Sequence, residues 1–239
     1  MILLRQMDAN RRKNRHQKKY AHRPAPRRAL PYGLRIRKND KIDMLAIEYL
    51  LTKYKPFDDL EKGDLNRLAL FVSKYGEKIY NRAPGQPVIT ASAVVVNPDF
   101  TKILIMRHKL HGFYKQFGGH ADGNSDLTAV AESELWQESG ARGKLMDKNP
   151  YDLIRWNFPD RQKNNIFYPA HDCFDIAFLF MISDTAKINH NKKEVLDTKW
   201  VRLSDWRDYS DMSNPVYRDN LQNMDYQQRI YKKIKLLNR

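Results

Sequence analysis

The feature that most limits how this chain can fold is a pair of adjacent glycines, Gly118 and Gly119, set between strand-like and helix-like sequence. Upstream, residues 88–97 (VITASAVVVN) are rich in β-branched side chains, and KILIMRH follows the turn-forming Asn97-Pro98-Asp99, so a hairpin is predicted. Residues 112–117 supply a further short extended piece leading into the glycines. Downstream, a helix is predicted over residues 126–139, with Ser125 as its cap and Gly140 in the C-terminal capping position. A strand, a loop and a helix thus surround two glycines.

Later, residues 173–183 (CFDIAFLFMIS) alternate Phe174, Ile176, Phe178 and Phe180 on one face with Asp175, Ala177 and Leu179 on the other, the pattern of a strand. EVLDTKWVRL predicts another strand, after which Ser204 can cap a short helical turn. Two helices are predicted before the hairpin. One carries Ile42, Leu45, Ile47, Leu50 and Leu51; the other spans residues 58–80, with Leu65, Leu68, Phe71 and Val72 inward and Asp58 and Asp59 as caps. A final amphipathic helix over residues 217–237 would turn Leu221, Met224, Tyr231 and Ile234 inward. With 239 residues one main domain is expected. The boundaries read as a tail at 1–38, a helical extension at 39–86, the main domain at 87–212 and a C-terminal helix at 213–239.

Charge is unevenly spread. Residues 1–38 hold 13 Lys and Arg against the single Asp8, which accounts for +12 of the net +15. Few apolar residues and no periodicity predict disorder for this segment when alone. Arg11, Arg12, Lys13, Arg15, Lys18, Lys19, Arg27 and Arg28 are the side chains expected to meet RNA phosphates through counterion release, the other reading being a solubilising tail or a mis-annotated start. Cys173 is the only cysteine, which excludes an intrachain disulfide and fits a reducing compartment such as the cytoplasm. No apolar run is long enough to span a bilayer, so no membrane association is expected. The Arg-rich start also resembles an organelle transit peptide, but it lacks serines and carries Asp8.

The chemistry concentrates in residues 118–141 (GGHADGNSDLTAVAESELWQESGA). Glu134 and Glu138, four apart, lie on one face of the predicted helix, with Gln137 on the same side and Trp136 opposite as a packing residue. Two carboxylates suit Mg²⁺, which prefers one or two of them plus waters and phosphate oxygens; Mn²⁺ fits the same donors. An acidic pair at this spacing more often decorates a solvated helix face, so its surroundings must decide.

Those surroundings resemble the Nudix hydrolase family, whose box reads G-x5-E-x7-R-E-U-x-E-E-x-G-U, with U a bulky aliphatic residue. Gly119, Glu134, Leu135, Glu138 and Gly140 match at the correct spacings, and Ala141 matches weakly. Ser125, Ser133 and Gln137 stand where the family has the loop glutamate, the arginine and the first glutamate of the pair. ITASAVVV, the approach Phe117-Gly118-Gly119-His120, and Glu194 six residues before Trp200-Val201 extend the likeness over roughly residues 88–205.

The resemblance implies an α/β/α sandwich with a mixed sheet, flanked here by an N-terminal helical extension and a C-terminal helix. It implies metal binding by the Gly119 carbonyl, Glu134 and Glu138, with Gln137 a weaker, uncharged ligand, and Glu194 as a late-strand base or further ligand. Arg107, Lys115, His120 and Asp175 are the candidate substrate contacts. The implied activity is Mg²⁺-dependent cleavage of a diphosphate linkage in a nucleoside diphosphate derivative, weakened by the loss of charge at Gln137. The alternative is a catalytically weak or silent nucleotide- or RNA-binding protein anchored to RNA or a ribonucleoprotein by its tail. A homodimer through the appended helices is a further expectation, and residues 149–169 carry no readable motif.

Overall fold

The structure, a computed structural model, describes residues 47, 51, 53–110, 112–163, 166–209 and 222–237. The basic tail, Ile42, Leu45, Leu50 and Leu221 lie outside the described residues, as does the side chain of Met224. Ile47 and Leu51 are helical.

Helix α1 (Asp59–Tyr75) begins where Asp58 accepts a hydrogen bond from the Glu61 amide, satisfying a free donor of the first turn. It ends at Gly76, beyond which a 3₁₀ turn (Gly76–Tyr80) leads to the sheet. Strand β1 (Val88–Val96) pairs antiparallel with β2 (Lys102–His108) through Val95–Leu104 and Val96–Ile103. The short β3 (Tyr114–Lys115) lies against β2, and β4 (Phe117–His120) against β1. Helix α2 (Leu127–Ser139) follows, then the short β5 (Lys144–Leu145).

Strand β9 (His171–Met181) runs parallel to β1 from Val88–Cys173 to Val96–Met181, while β10 (Val195–Arg202) pairs antiparallel with β2. The sheet is therefore mixed, ordered β10-β2-β1-β9-β5. Strand β6 (Asp152–Phe158) pairs antiparallel with β9, and β7 (Arg161–Lys163) forms a separate hairpin with β8 (Ile166–Tyr168). The stretch without a readable motif is thus mostly strand.

Strand β1 sits centrally, and its β-branched run is buried on both faces because helices cover both. On one face Ile89, Ala91, Ala93 and Val95 join Phe174, Ile176, Phe178 and Phe180 beneath α2 and the α1 residues Leu68 and Phe71. On the other, Val94, Val96, Ala177 and Leu179 pack with Trp206 of the 3₁₀ turn Leu203–Tyr209 and with Tyr226, Ile230 and Ile234 of helix α3 (Gln222–Leu237). Each buried aliphatic or aromatic side chain contributes roughly 1.5–3 kcal/mol. This is the expected α/β/α sandwich with a mixed sheet. Ser204 lies inside its 3₁₀ turn and donates to Asp205, so it is no cap. Among the described residues, no helix is long and apolar enough to cross a membrane.

Candidate functional site

The site starts with a crossing of small residues. Strand β4 lies beside β1 with Phe117 opposite Ala93, Gly118 opposite Ser92, Gly119 opposite Ala91 and His120 opposite Thr90. A Cβ on Gly118 would stand 2.8 Å from the Ala91 oxygen and from the Ser92 Cα, so this contact admits only glycine. A Cβ on Gly119 would instead meet the Glu134 carboxylate, at 2.5 Å from Cδ and Oε1.

Helix α2 delivers that carboxylate. Asp126, not Ser125, is its cap, accepting from the Ala129 amide at 3.0 Å; the extra residue of loop lets the aspartate reach the first turn. Leu127, Val130, Ala131 and Leu135 form the buried stripe that docks the helix. Glu138 continues that stripe eleven residues after Leu127 and is only 3% exposed. Its Oε2 accepts from the Gly118 amide at 2.9 Å. Gly140 closes the helix in left-handed conformation (φ 71), its N–H bonded to the Trp136 carbonyl. The loop between β9 and β10 caps the helix C-terminus, since Asn189 N–H donates to Ser139 O and Asn191 N–H to Glu138 O. That loop carries Glu194, which is exposed.

Burial raises both helix carboxyls. Glu138 is pushed up to about 7, partly opposed by Lys115 and the Gly118 amide. Glu134 rises for the same reason, with Glu194 adding a like charge. Lys115 on β3 and Glu194 therefore act on the pair from separate segments. His120 is pushed down to about 4 by burial and the Arg82 charge, and its Nδ1 is buried with no hydrogen-bond partner among the described residues.

Other expected members stand elsewhere. Gln137 does not join the carboxylates: it is exposed and its amide donates to Ser133 Oγ at 2.7 Å, because one residue before Glu138 turns about 100° away from the buried stripe. Asp175 lies on the opposite face of the sheet, on the side of Ala177 and Leu179, as the two-residue period of a strand dictates. It is buried there, accepting from Ser92 Oγ at 2.6 Å, Thr90 Oγ1 at 2.7 Å and Gln116 at 3.3 Å. Arg107 is exposed and donates to the Gly112 carbonyl. Trp136, expected to pack, is half exposed with Arg142 over its ring.

Sequence reasoning did not single out Arg82 or Asp122. Arg82 precedes β1, pairs with Asp122 after β4, and its charge is felt at Glu134 and His120. In so basic a chain a lone arginine carries no signal; only the fold brings it here.

Among the described residues no three His, Cys, Asp or Glu side chains converge as a ready-made metal cage. Two carboxylates at a glycine crossing still fit Mg²⁺, which keeps several waters and takes phosphate oxygens as further ligands.

Fold and site together define a mixed-sheet α/β sandwich with a two-carboxylate helix at its glycine crossing. A hydrolase of the NUDIX family from Clostridium perfringens is similar in structure, with 17% sequence identity and a TM-score of 0.42 over 62% of this chain and 97% of that one. The MutT protein from Methanosarcina mazei Go1 is similar at 17% identity and TM-score 0.39, covering 66% and 99% of the two chains. For the E. coli dihydroneopterin triphosphate pyrophosphohydrolase the values are 13%, 0.41, 61% and 99%. No protein-family model and no curated protein sequence matches the chain.

Proposed function

We propose that this chain is a Mg²⁺-dependent hydrolase of Nudix type that cleaves a diphosphate linkage in a nucleoside diphosphate derivative. The observation that carries this reading is Glu138, placed on the apolar stripe of α2 yet held as a hydrogen-bond acceptor by the Gly118 amide. A buried carboxylate is costly without a counter-charge. A divalent cation held by Glu134 and Glu138 would supply one.

When bound, Mg²⁺ polarises the phosphoryl group and lowers the pKa of an attacking water. The chain contributes the rest. Gly118 orients Glu138, and the missing Cβ of Gly119 lets the Glu134 carboxylate approach the strand. Lys115 would offer a positive charge to phosphate oxygens, and Glu194, exposed on the loop that caps α2 and felt by both helix carboxyls, would accept a proton from the attacking water. Gln137, turned toward Ser133, adds no charge, so one ion rather than several is expected.

The test is Mg²⁺-dependent phosphate release from a panel of nucleoside diphosphate derivatives by wild type and Glu138→Gln. The expected loss is about a hundredfold or more, the scale of removing one preorganised electrostatic group. Equal rates would remove the catalytic reading.

A second reading is favoured by charge alone: the +12 carried by residues 1–38 suits a polyanion, so the tail would bring RNA to the domain. It predicts RNA binding that weakens steeply with salt.

A further inference from the structure

Arg82 reaches the candidate site from a segment that no feature of the 118–141 motif includes. It stands between the 3₁₀ turn Gly76–Tyr80 and strand β1, and its guanidinium takes both oxygens of Asp122, with Nε–H donating to Oδ1 at 2.6 Å and Nη2 to Oδ2. The two side chains are 58% and 53% exposed, so this ion pair is screened and contributes little to stability. The two segments are also joined without it, because Gly123 N–H donates to Tyr80 O at 2.8 Å. The pair is therefore not needed as a clip.

What the pair does provide is position. Asp122 holds a left-handed backbone (φ 47) two residues beyond the end of β4, the strand whose glycines meet Glu134 and Glu138. It keeps a planar guanidinium beside the site, within electrostatic reach of Glu134 and of His120. A guanidinium fork engages phosphate in two parallel hydrogen bonds, which an ammonium such as that of Lys115 cannot do. We propose that Arg82 is a phosphate-binding residue of this site: it leaves Asp122 and takes two non-bridging oxygens of a Mg²⁺-bound diphosphate. The inference rests on the reading of Glu134 and Glu138 as the metal site. Asp122 then acts as a competitor that holds the fork ready until an anion arrives. The ligand must present oxygens that the divalent ion does not use, which a diphosphate does.

The experiment titrates the full chain, in Mg²⁺, with methylenediphosphonate, a diphosphate analogue whose P–C–P link resists hydrolysis. Wild type is compared calorimetrically with Arg82→Ala, Arg82→Lys and Asp122→Asn. In parallel, Mn²⁺ binding is followed by electron paramagnetic resonance. Arg82→Ala should weaken diphosphonate binding about tenfold, the usual scale for losing a charged hydrogen bond. Arg82→Lys should recover only part of it. Asp122→Asn retains the left-handed backbone but loosens the hold on the arginine, so it should tighten binding, and Mn²⁺ affinity should change far less than diphosphonate affinity in all three variants.

Opposite directions for Arg82→Ala and Asp122→Asn support the proposal. A shared direction, as a mere structural clip would give, or no change in Arg82→Ala overturns it. If wild type binds no Mn²⁺ but its diphosphonate affinity still depends on Arg82, the metal reading fails while Arg82 stands as an anion ligand. Loss of both responses removes both.

Discussion

At the scale of single residues, the two adjacent glycines carry different burdens. A side chain at Gly118 collides with backbone atoms of Ala91 and Ser92, which cannot move without opening the β1–β4 ladder. Gly118→Ala should therefore destabilise the fold by about 1–3 kcal/mol, as overpacking does. At Gly119 the obstacle is the far end of Glu134, which can swing aside for under about 1 kcal/mol, the scale of a rotamer change. Gly119→Ala should thus leave the urea midpoint nearly intact while weakening Mn²⁺ binding about tenfold, as displaced metal surroundings do. Equal effects of the two substitutions on stability would contradict the geometry. Glu138 adds a pH signature. Its carboxyl rises from 4.5 to about 7, so the folded chain holds this proton more tightly than the unfolded one. The stability this supplies is fully present below the unfolded value and is lost as the pH rises through the folded one. With chelator present, Glu138→Gln should gain stability over wild type by on the order of 3 kcal/mol between about pH 4 and about pH 8. A pH-independent difference would show that burial does not govern this group.

At the scale of elements, α1, β6 and α3 are joined by a buried charge network. Arg229 of α3 donates through Nε and Nη2 to both oxygens of Asp152, at 2.9 and 2.8 Å, and again to Leu153 O. Lys233, one turn on, donates to Asp152 at 2.6 Å and to Glu61 of α1 at 2.7 Å. Burial alone would raise Glu61, but Lys233 and its other donors hold its carboxyl below the usual range. Arg229→Met should therefore cost about 3–5 kcal/mol, because Asp152 is left buried with one partner fewer. Urea unfolding measures it, and a loss below about 1 kcal/mol, the level of a surface pair, would contradict the burial. This network explains what the sequence hid. In DLIRWNF the residues Asp152, Arg155 and Asn157 interrupt the apolar pattern, so β6 reads as loop. Its polar groups are satisfied by partners far away in sequence, such as Arg229 and Asp64, which no local window contains. The 217–237 pattern likewise gave Ile234 correctly but omitted Tyr226 and Ile230, which are as deeply buried. By contrast β1, β2 and β9 were legible, since burial on defined faces writes itself directly into the spacing of apolar residues.

At the scale of the whole molecule, Glu134 and Glu138 were legible because one helix carries both, whereas Arg82 was not because two segments far apart in sequence place it. The same division applies to charge. The described fold balances the buried Glu61 and Asp152 with Arg229 and Lys233, while the excess charge of the chain is concentrated in residues 1–38. Removing residues 1–38 takes away +12 of the +15 and touches no residue of the candidate site. Two activities should then separate. Turnover of a small nucleoside diphosphate derivative should be unchanged, since every residue given a role in it, from Arg82 to Glu194, lies beyond residue 38. RNA affinity should collapse. For single strands each neutralised phosphate contributes about −0.7 to the slope of log affinity against log salt, so engagement of the eight tail cations named above gives roughly −5 to −6. The truncated chain should show a slope nearer zero in the same salt series. If truncation left both the affinity and the slope intact, the polyanion contact would belong to the folded part, and the charge of the tail would be solubilising only.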